Sequence, residues 1–427
     1  MAEHLNSAES VAAGLRALPG ISKAFASTQA AWRFFNNERV SYPQLADPLI
    51  ARGREALAEE EGRYALVAHD WSHLDYTTHQ SKRDRTRLHN KKVFGYVLQT
   101  ALLISDRTGE PLSVICQGLL AADGLHSTRC TEVLPEISQL DELTEAIRFV
   151  DGCGLGRPCV HIADRECDSV WHYRLWQKEE CLFVVRAKNR RIVKHNGEDK
   201  SISGVVRELE EQNAFGSSRE VEYKGRIAQQ YVAETRVVID RPAKPQRTKH
   251  SNGGQRRVPG EAIKLRLVVS QIKDREGELL SEWWLWTNLP GTGQPQGVSA
   301  EQIAEWYYWR WKIESFFKLI KSAGQQVEQW QQESAGALAR RLLVATMSCV
   351  VVWQLARSKE PEADAFRCFL IGLSGRQMKW GRNFTEPALL AGLGVLLAML
   401  DSLERYDVEE VKRMAQVFLS GHYRMNM

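Results

Sequence analysis

The stretch SAEQIAEWYYWRWKIESFFKLIKSAG, from Ser299 to Gly324, carries more information than any other part of this 427-residue chain. Ser299 followed by Gln302 is a capping-box pattern that predicts a helix start, and Gly324 is a typical helix end. At about 100° per residue, large apolar side chains fall on one face. These side chains are Trp306, Trp309, Ile313, Phe317 and Ile320. The pattern predicts one long helix packed on a core.

A polar stripe lies beside this apolar face. It consists of Tyr307, Arg310, Glu314 and Lys321, which share an arc of about 60° over roughly four turns. An ordinary amphipathic helix with an Arg310–Glu314 ion pair explains the same pattern. The stripe therefore indicates a site only if other parts of the chain supply partners for it.

Two aspartates at the ends of strand-like runs are suitable partners. Asp70 ends YALVAHD (64–70), and Asp164 ends CVHIAD (159–164). A carboxylate at the end of a buried strand is costly unless it is paired or binds a metal. Together with Glu314, the two aspartates would form an all-oxygen site suited to Mg²⁺. Such a site can hold two ions about 4 Å apart for in-line phosphoryl transfer, so these three acids are the predicted catalytic metal ligands.

The cations of the chain have a role in the same chemistry. Arg310 would hold non-bridging phosphate oxygens as a fork and Lys321 would act as a point charge, while Tyr307 donates a hydrogen bond. A basic cluster, KRDRTRLHNKK, adds further candidates for DNA binding: Lys82, Arg83, Arg85, Arg87, Lys91 and Lys92. A second cluster, from Lys244 to Arg257, holds five cations and no acid. Such clusters attract phosphate backbones, although a solvated loop explains either one alone.

The order of predicted elements is mixed α/β. The elements are strands at 64–70, 93–105 and 112–120, a helix at 139–150, and a strand at 159–164. Most signals from about 183 to 286 are β, because β-branched and aromatic runs alternate with Gly- and Pro-rich breaks. The predicted regions are a helical DNA-binding region at 1–60, a core at 61–330 with a β insertion at about 187–280, and a helical region at 331–427.

These residues resemble the insertion-sequence IS4 family of DDE transposases, the Tn5-like group. The Y-x2-R-x3-E-x6-K signature of that family is matched by the four residues of the polar stripe. Asp164 to Asp168 (DRECD) resembles the D-R-E-A-D block, with a cysteine in place of the alanine, and Asp70 matches the first aspartate. FVVRAKNRR (183–191) and QAAWRFFNN (29–37) are similar to the following β segment and to the end-binding region.

The resemblance implies a ribonuclease H-like core of the retroviral-integrase type and a cut-and-paste DNA transposase. The expected steps are end nicking, hairpin formation and opening, and strand transfer, with Mg²⁺ as cofactor and Mn²⁺ as its substitute. The expected partners are double-stranded DNA and a second copy of the chain, which the 331–427 region would help to bind, with no membrane. In relatives a tryptophan of the β insertion stacks on a flipped base, and Trp283 aligns best with it. Plain strand packing explains Trp283, Trp284 and Trp286 equally well.

Several alternatives compete with this interpretation. His69 and His73 resemble the H-E-x-x-H motif of zinc proteases, but that motif needs a helix. Asp75, Glu166 and Asp168 compete with the chosen acids for metal. A non-cleaving DNA-binding transposition inhibitor and a ribonuclease H-like nuclease are the alternative functions.

The remaining composition indicates a cytoplasmic protein, and the resemblance implies a bacterial, nucleoid-associated one. The eight cysteines include no C-x-x-C pair, which predicts reduced and mostly buried thiols. The N-terminal MAEHLNSAES has no apolar core of a signal peptide. The richest apolar run, Leu389–Leu400, is shorter than the roughly 18 residues that span a bilayer, so it predicts a buried helix.

Overall fold

A computed structural model describes residues 21–89, 92–189, 191–244, 257–404 and 406–419. The predicted helix before residue 21, Lys91, and most of the second basic cluster (245–256) lie outside the described residues. The strands are β1 (Ala65–Asp75), β2 (Thr86–Arg87), β3 (Phe94–Ser105), β4 (Pro111–Ala121), β5 (Gly124–Ser127), β6 (Cys159–Ala163), β7 (Leu182–Arg186), β8 (Ile192–His195), β9 (Glu198–Ser201), β10 (Gly216–Tyr223), β11 (Arg226–Ile239), β12 (Ile263–Lys273) and β13 (Leu279–Thr287). The helices are α1 (Ile21–Asn36), α2 (Tyr42–Glu59), α3 (Gln139–Gly152), α4 (Val170–Lys178), α5 (Ile202–Glu211), α6 (Ala300–Trp309), α7 (Lys312–Lys321), α8 (Ala335–Arg357), α9 (Ala363–Ser374), α10 (Glu386–Leu403) and α11 (Val408–Leu419).

The described strands form one mixed sheet. Their order is β5-β4-β3-β1-β6-β7-β13-β12-β11-β8-β9, with β2 beside β3 and β10 beside β11. β1 is antiparallel to β3 and parallel to β6, and β6 is parallel to β7. The prediction of a mixed α/β fold is confirmed.

The predicted β insertion extends this sheet and does not form a second one. β13 pairs with β7 in antiparallel register, with Leu285 opposite Arg186. β12 and β11 continue outward from β13. The strands of the insertion therefore connect rigidly to the strand beside β6.

The centre of the sheet is buried on both faces, which explains why β1 begins as a continuous apolar run. Leu66 and Ala68 belong to the core cluster that includes α6, α7 and α8. Ala65 and Val67 pack in another cluster with residues of α2 and α3. Strands covered on both faces need apolar side chains at successive positions, not alternating ones.

The turn between β3 and β4 positions helix α6. Gly109 adopts φ = 69° there, and a Cβ atom at this position would lie 2.3 Å from the indole of Trp309. The carboxylate of Asp106 accepts hydrogen bonds from the backbone amides of Arg63 and Tyr64, at 2.8 and 3.0 Å. Its backbone carbonyl accepts one from Trp306 Nε1 at 3.3 Å. This turn thus connects the start of β1 to the helix.

The predicted long helix is two helices, so that prediction is wrong in one respect. Ser299 caps α6 by accepting a hydrogen bond from the Gln302 amide at 3.2 Å, as predicted. Helix α6 ends at Trp309 and α7 begins at Lys312. Arg310 and Trp311 form a turn between them. Arg310 is 3% exposed. Its contacts with Asp70, Asp164 and Glu314 stabilise this turn.

The prediction of a buried helix at Leu389–Leu400 is confirmed for its first half, where Leu389, Leu390 and Leu393 are buried, and is wrong for its end. This run belongs to the longer α10, and Met399, Leu400 and Leu403 are exposed. Among the described residues, α8 and α10 are long and apolar enough to cross a membrane by length and composition alone. The apolar window of α8 is 83% buried inside the molecule, whereas that of α10 is 28% buried. Helix α8 is therefore a core helix, and an apolar face of α10 is left uncovered by the described residues.

All eight cysteines are free, and six of them are buried. The prediction of mostly buried thiols is confirmed. Burial raises the pKa of Cys167, next to the acids, so this thiol is protonated at neutral pH.

Candidate active site

The parallel pairing of β1 and β6 brings Asp70 and Asp164 side by side. His69 is paired with Ala163 at the end of this ladder, so each aspartate is the next residue on its strand. Each carboxylate accepts a hydrogen bond from the following backbone amide, Asp70 from Trp71 at 2.8 Å and Asp164 from Arg165 at 2.7 Å. These bonds fix the orientation of both side chains.

The turn between α6 and α7 places Arg310 among the three predicted acids. Arg310 Nη1 lies 2.8 Å from Asp70 Oδ2. Arg310 Nη2 lies 3.9 Å from Asp164 Oδ2 and 3.5 Å from Glu314 Oε1. Acids that are far apart in the sequence therefore converge around one guanidinium, which balances part of their negative charge.

Two further side chains hold Asp164. Tyr307 is almost fully buried and donates a hydrogen bond from its hydroxyl to Asp164 Oδ1 at 3.0 Å. Arg186 Nη1 lies 3.7 Å from the same oxygen. The sequence analysis missed Arg186, because its position follows from strand pairing: Val185 is paired with Ala163 on adjacent parallel strands, and Arg186 is the next residue, as Asp164 is on the other strand.

The environment affects the three carboxylates differently. Burial raises the pKa of Asp70, and the opposing charge of Arg310 offsets only part of that effect. Burial likewise raises the pKa of Glu314, with Arg310 opposing and Asp70 adding to the increase. For Asp164, burial alone would raise the pKa, but Arg310 and the hydrogen bonds described above lower it. Asp164 is therefore the acid that is most firmly ionised.

The carboxylates of Asp70, Asp164 and Glu314 suit a hard divalent cation. In this structure they surround the guanidinium of Arg310. Carboxylate oxygens are the ligands that Mg²⁺ prefers. Within the described part of the chain, no three acidic, histidine or cysteine side chains are arranged to hold one metal ion, and Arg310 contacts all three acids instead. The residue types thus fit a metal centre, and ion binding requires the charge of Arg310 to be withdrawn from between them.

The predicted DNA contacts of the polar stripe need revision. Tyr307 and Arg310 are buried and directed at the acids. Lys321 donates to the backbone carbonyl of His73 at 2.7 Å and pairs with Glu328 at 3.0 Å. Lys321 therefore lies beside His73, three residues further along β1 than Asp70, and connects the end of α7 to that strand.

The prediction that Trp283 stacks on a base does not fit its position. Trp283 is 3% exposed and packs its ring against Tyr307 and Tyr308, with centroids 5.6 and 6.1 Å apart. Trp286 is also buried. The exposed indole beside the acids belongs to Trp311, whose ring lies 5.7 Å from the Arg310 guanidinium.

The first basic cluster divides into structural and surface residues. Lys82 is 0% exposed and donates to the Gln332 carbonyl, with its ammonium 4.7 Å from the Tyr76 ring centroid. Its predicted role in DNA binding is therefore wrong. Arg85 is half-buried and donates to three backbone carbonyls. The exposed members that the structure describes are Arg83, Arg87 and Lys92.

Except for Glu166, which lines a cleft with the two aspartates, the competing candidates have other contacts. His69 and His73 lie on the extended strand β1, so their Cα atoms are about 13 Å apart, and His69 instead contacts His161 at 2.9 Å. The carboxylate of Asp168 is buried and pairs with Arg191 at 2.9 Å. Asp75 accepts hydrogen bonds from Thr77.

The cleft at the two aspartates has a volume of about 480 Å³, and Glu314 does not line it. Asp70, Asp164 and Glu166 lie on its wall, together with Trp71 and residues of β3 and α3. The side chains of Asp70 and Asp164 are 25% and 33% exposed, so a substrate in the cleft can reach both.

Comparison with known proteins gives one result for most of the chain. Residues 61–348 match the family described as transposase DDE domain. The matched segment begins just before β1 and includes all three predicted acids. No curated protein matches the chain.

Proposed function

Since this chain belongs to the transposase DDE domain family, we propose that it is a cut-and-paste DNA transposase of the IS4 type whose catalytic acids are Asp70, Asp164 and Glu314. Family membership implies a ribonuclease H-like fold, a DNA substrate and, in general, divalent metals, and the mixed sheet is consistent with that fold. The convergence of the three acids around Arg310 is the observation that carries the proposal.

In this proposal Asp70, Asp164 and Glu314 hold the divalent cations, for which Mg²⁺ is expected. These ions would supply charge stabilisation and an activated oxygen for in-line displacement at phosphorus. Tyr307 and Arg186 keep Asp164 oriented and ionised through the contacts described above. This pre-organisation reduces the rearrangement that ion binding requires.

Arg310 has two roles in the proposal. Without another cation, its guanidinium prevents repulsion among three carboxylates that share a partly buried site. Once the acids are neutralised in another way, Arg310 is available to bind non-bridging phosphate oxygens by its fork. The exposed indole of Trp311 beside it offers DNA an apolar contact surface.

The test is cleavage of DNA ends selected for binding to the purified chain. With Mg²⁺ we expect a nick at the end followed by a hairpin on the flanking strand, both visible on a denaturing gel. With Ca²⁺ we expect binding and little cleavage. Random fragments without hairpins would support the ribonuclease H-like nuclease, and binding without any cleavage would support the transposition inhibitor; either result rejects the proposal.

We also propose that helix α10 contributes to a homodimer that pairs two DNA ends. Met399, Leu400 and Leu403 form an apolar face that no described part of the chain covers. Isolated exposed apolar residues are common, but a contiguous row on one helix is typical of an interaction surface. A second copy of the chain would cover this face in the isologous manner of most dimers.

A further inference from the structure

A second pocket, of about 470 Å³, adjoins the other end of the short turn that begins at Asp164. Asp164 precedes the single 3₁₀ turn Arg165–Cys167, and Asp168 follows it. We name this cavity the Asp168 pocket after the acid on its wall. Its charged lining residues are Asp168, Lys188, Arg191, Arg241, Lys244 and Arg257.

The lining has a large excess of positive charge. It contains five cations and one acid. The carboxylate of Asp168 is already engaged, because it accepts hydrogen bonds from Arg191 Nε at 2.9 Å, the Lys188 amide at 2.8 Å and the Tyr173 hydroxyl at 3.1 Å. Among the described residues, no acid forms an ion pair with the other four cations, which are Lys188, Arg241, Lys244 and Arg257.

Crowding of like charges makes this pocket receptive to an anion. Arg241 is partly buried, and its pKa is lowered by burial and by the neighbouring charges of Arg191 and Arg257. An anion in the pocket would relieve that repulsion. The guanidinium groups favour a phosphate in particular, because their fork matches two of its oxygens.

We propose that the Asp168 pocket binds a backbone phosphate of the DNA strand, at a fixed offset from the phosphate that the three acids would cut. Asp168 is a positioning residue in this proposal, because it holds Arg191 and the backbone of Lys188 around the pocket. One rigid turn then links the cutting site to an anchoring site, about 8 Å away along the chain. The inference rests on the proposed function.

A DNA phosphate fits better than a small free anion. The pocket is much larger than one phosphate group, and Lys188, Lys244 and Arg257 are exposed at its surface. Cations arranged in this way can follow a polyanion into and out of the pocket. The second basic cluster predicted from the sequence begins at Lys244 and ends at Arg257, and both of these end residues lie on the wall of the Asp168 pocket.

The salt dependence of DNA binding tests the proposal without any cleavage. The affinity of a 40-base-pair duplex of mixed sequence would be measured in EDTA from about 50 to 300 mM NaCl. For a Lys188→Gln, Arg257→Gln double variant, the negative slope of log affinity against log salt should become shallower by about 0.9 for each phosphate that the variant no longer neutralises. The control is Lys178→Gln with Arg226→Gln, an equal change of exposed charge elsewhere, which should keep the wild-type slope. An unchanged slope in the pocket variant overturns the proposal.

Two further measurements separate the remaining outcomes. Inorganic phosphate should not raise the thermal unfolding temperature of the wild type more than it raises that of the double variant at equal concentration. If it does, while the DNA slope is insensitive to the pocket variant, the pocket binds free anions and the proposal fails. Asp168→Asn should by itself make the slope less negative, and it should change the slope of the double variant little further. An additive effect of the substitutions on the slope would contradict the positioning role of Asp168.

The failure of this inference and that of the proposed function are distinguishable. If the slope changes as expected but no divalent cation supports nicking, the phosphate pocket stands and the catalytic proposal fails. If nicking depends on the three acids while the slope is unaffected, the catalytic proposal stands and the pocket is rejected.

Discussion

Glu314 lies 3.5 Å from Arg310 and is about one-third exposed at the start of α7. Its pKa is raised mainly by burial, so the carboxylate is held in surroundings where a nearby cation is strongly favourable. A glutamine at this position preserves size and hydrogen bonding but removes the charge. The Glu314→Gln substitution therefore tests the role of this one carboxylate.

We expect Glu314→Gln to reduce metal-dependent nicking by more than about 100-fold, because changes around a ligand alone already cost 10- to 100-fold. DNA affinity should stay within about twofold of the wild type. Nicking of supercoiled donor DNA and electrophoretic mobility shift measure the two effects. Glu301→Gln, an exposed acid on α6, is the matched control, and equal nicking by both variants would refute the assignment.

Lys82 gives a second prediction for one residue. Burial lowers the pKa of this ammonium to about 8 in the folded protein. Below pH 8 it is protonated in both the folded and the unfolded state, so its burial lowers stability by a constant amount. Between pH 8 and its ordinary pKa of 10.5, only the unfolded state binds the proton. Stability contributed by Lys82 must therefore rise with pH in that window.

The comparison of wild type with Lys82→Met should show this rise. The free energy of unfolding of the wild type, relative to the variant, should increase between pH 8 and pH 10 by up to about 1.4 kcal/mol per pH unit. Urea denaturation at several pH values measures it, and the subtraction removes other titrating groups. A constant difference across the window would show that Lys82 is not buried as an ammonium.

At the scale of elements, the decisive contact is between the β3–β4 turn and helix α6. Gly109 leaves room for the Trp309 indole and adopts a positive φ. The same turn anchors Trp306 through the carbonyl of Asp106. Two contacts with this turn thus position the helices α6 and α7 beside β1. The apolar periodicity of the sequence does not predict these contacts.

We expect Gly109→Ala to lower the free energy of unfolding by about 2–4 kcal/mol, through backbone strain and overpacking together. Gly225→Ala is the control, because Gly225 also has a positive φ, 76°, but a Cβ there meets nothing within 4 Å. That variant should lose only about 1 kcal/mol. Denaturant unfolding compares them, and equal losses would show that Trp309 does not pack on the turn.

At the scale of the whole molecule, the mixed sheet places the acids at its centre and leaves α10 on the outside. Leu400 is 49% exposed within the uncovered apolar face. A charge at this position would be costly to bury between two copies of the chain. Because Leu400 is exposed in the monomer, a lysine at this position should not change the stability of the folded monomer.

Leu400→Lys should therefore prevent the formation of DNA-bound dimers while leaving the melting temperature within about 2 °C of the wild type. Light scattering after size exclusion, with selected DNA ends, measures the mass of the complex. Ile227→Lys, at a site 50% exposed on β11, is the control and should dimerise normally. Dimers of the Leu400 variant at wild-type concentration would locate the interface elsewhere.

The amino-acid sequence by itself determined the local features of this protein. Apolar runs predict buried strands, Ser299 predicts a helix cap, and acids at strand ends predict a site. Each of these patterns depends only on residues that are neighbours along the chain. The periodic stripe singled out Tyr307 and Glu314, although the two residues lie on different helices. These signals were sufficient for the mixed α/β fold and for the choice of three acids, which stays a prediction.

Only the tertiary structure decided what each charged or aromatic side chain contacts. Lys82 and Trp283 looked like DNA-binding residues, but chain segments far away in sequence cover them. Arg310 lies in the break between α6 and α7, at 2.8 to 3.9 Å from three acids on different elements, and Arg186 gains its place from the pairing of β7 with β6. Burial and long-range electrostatics depend on the whole fold, and sequence periodicity does not contain them.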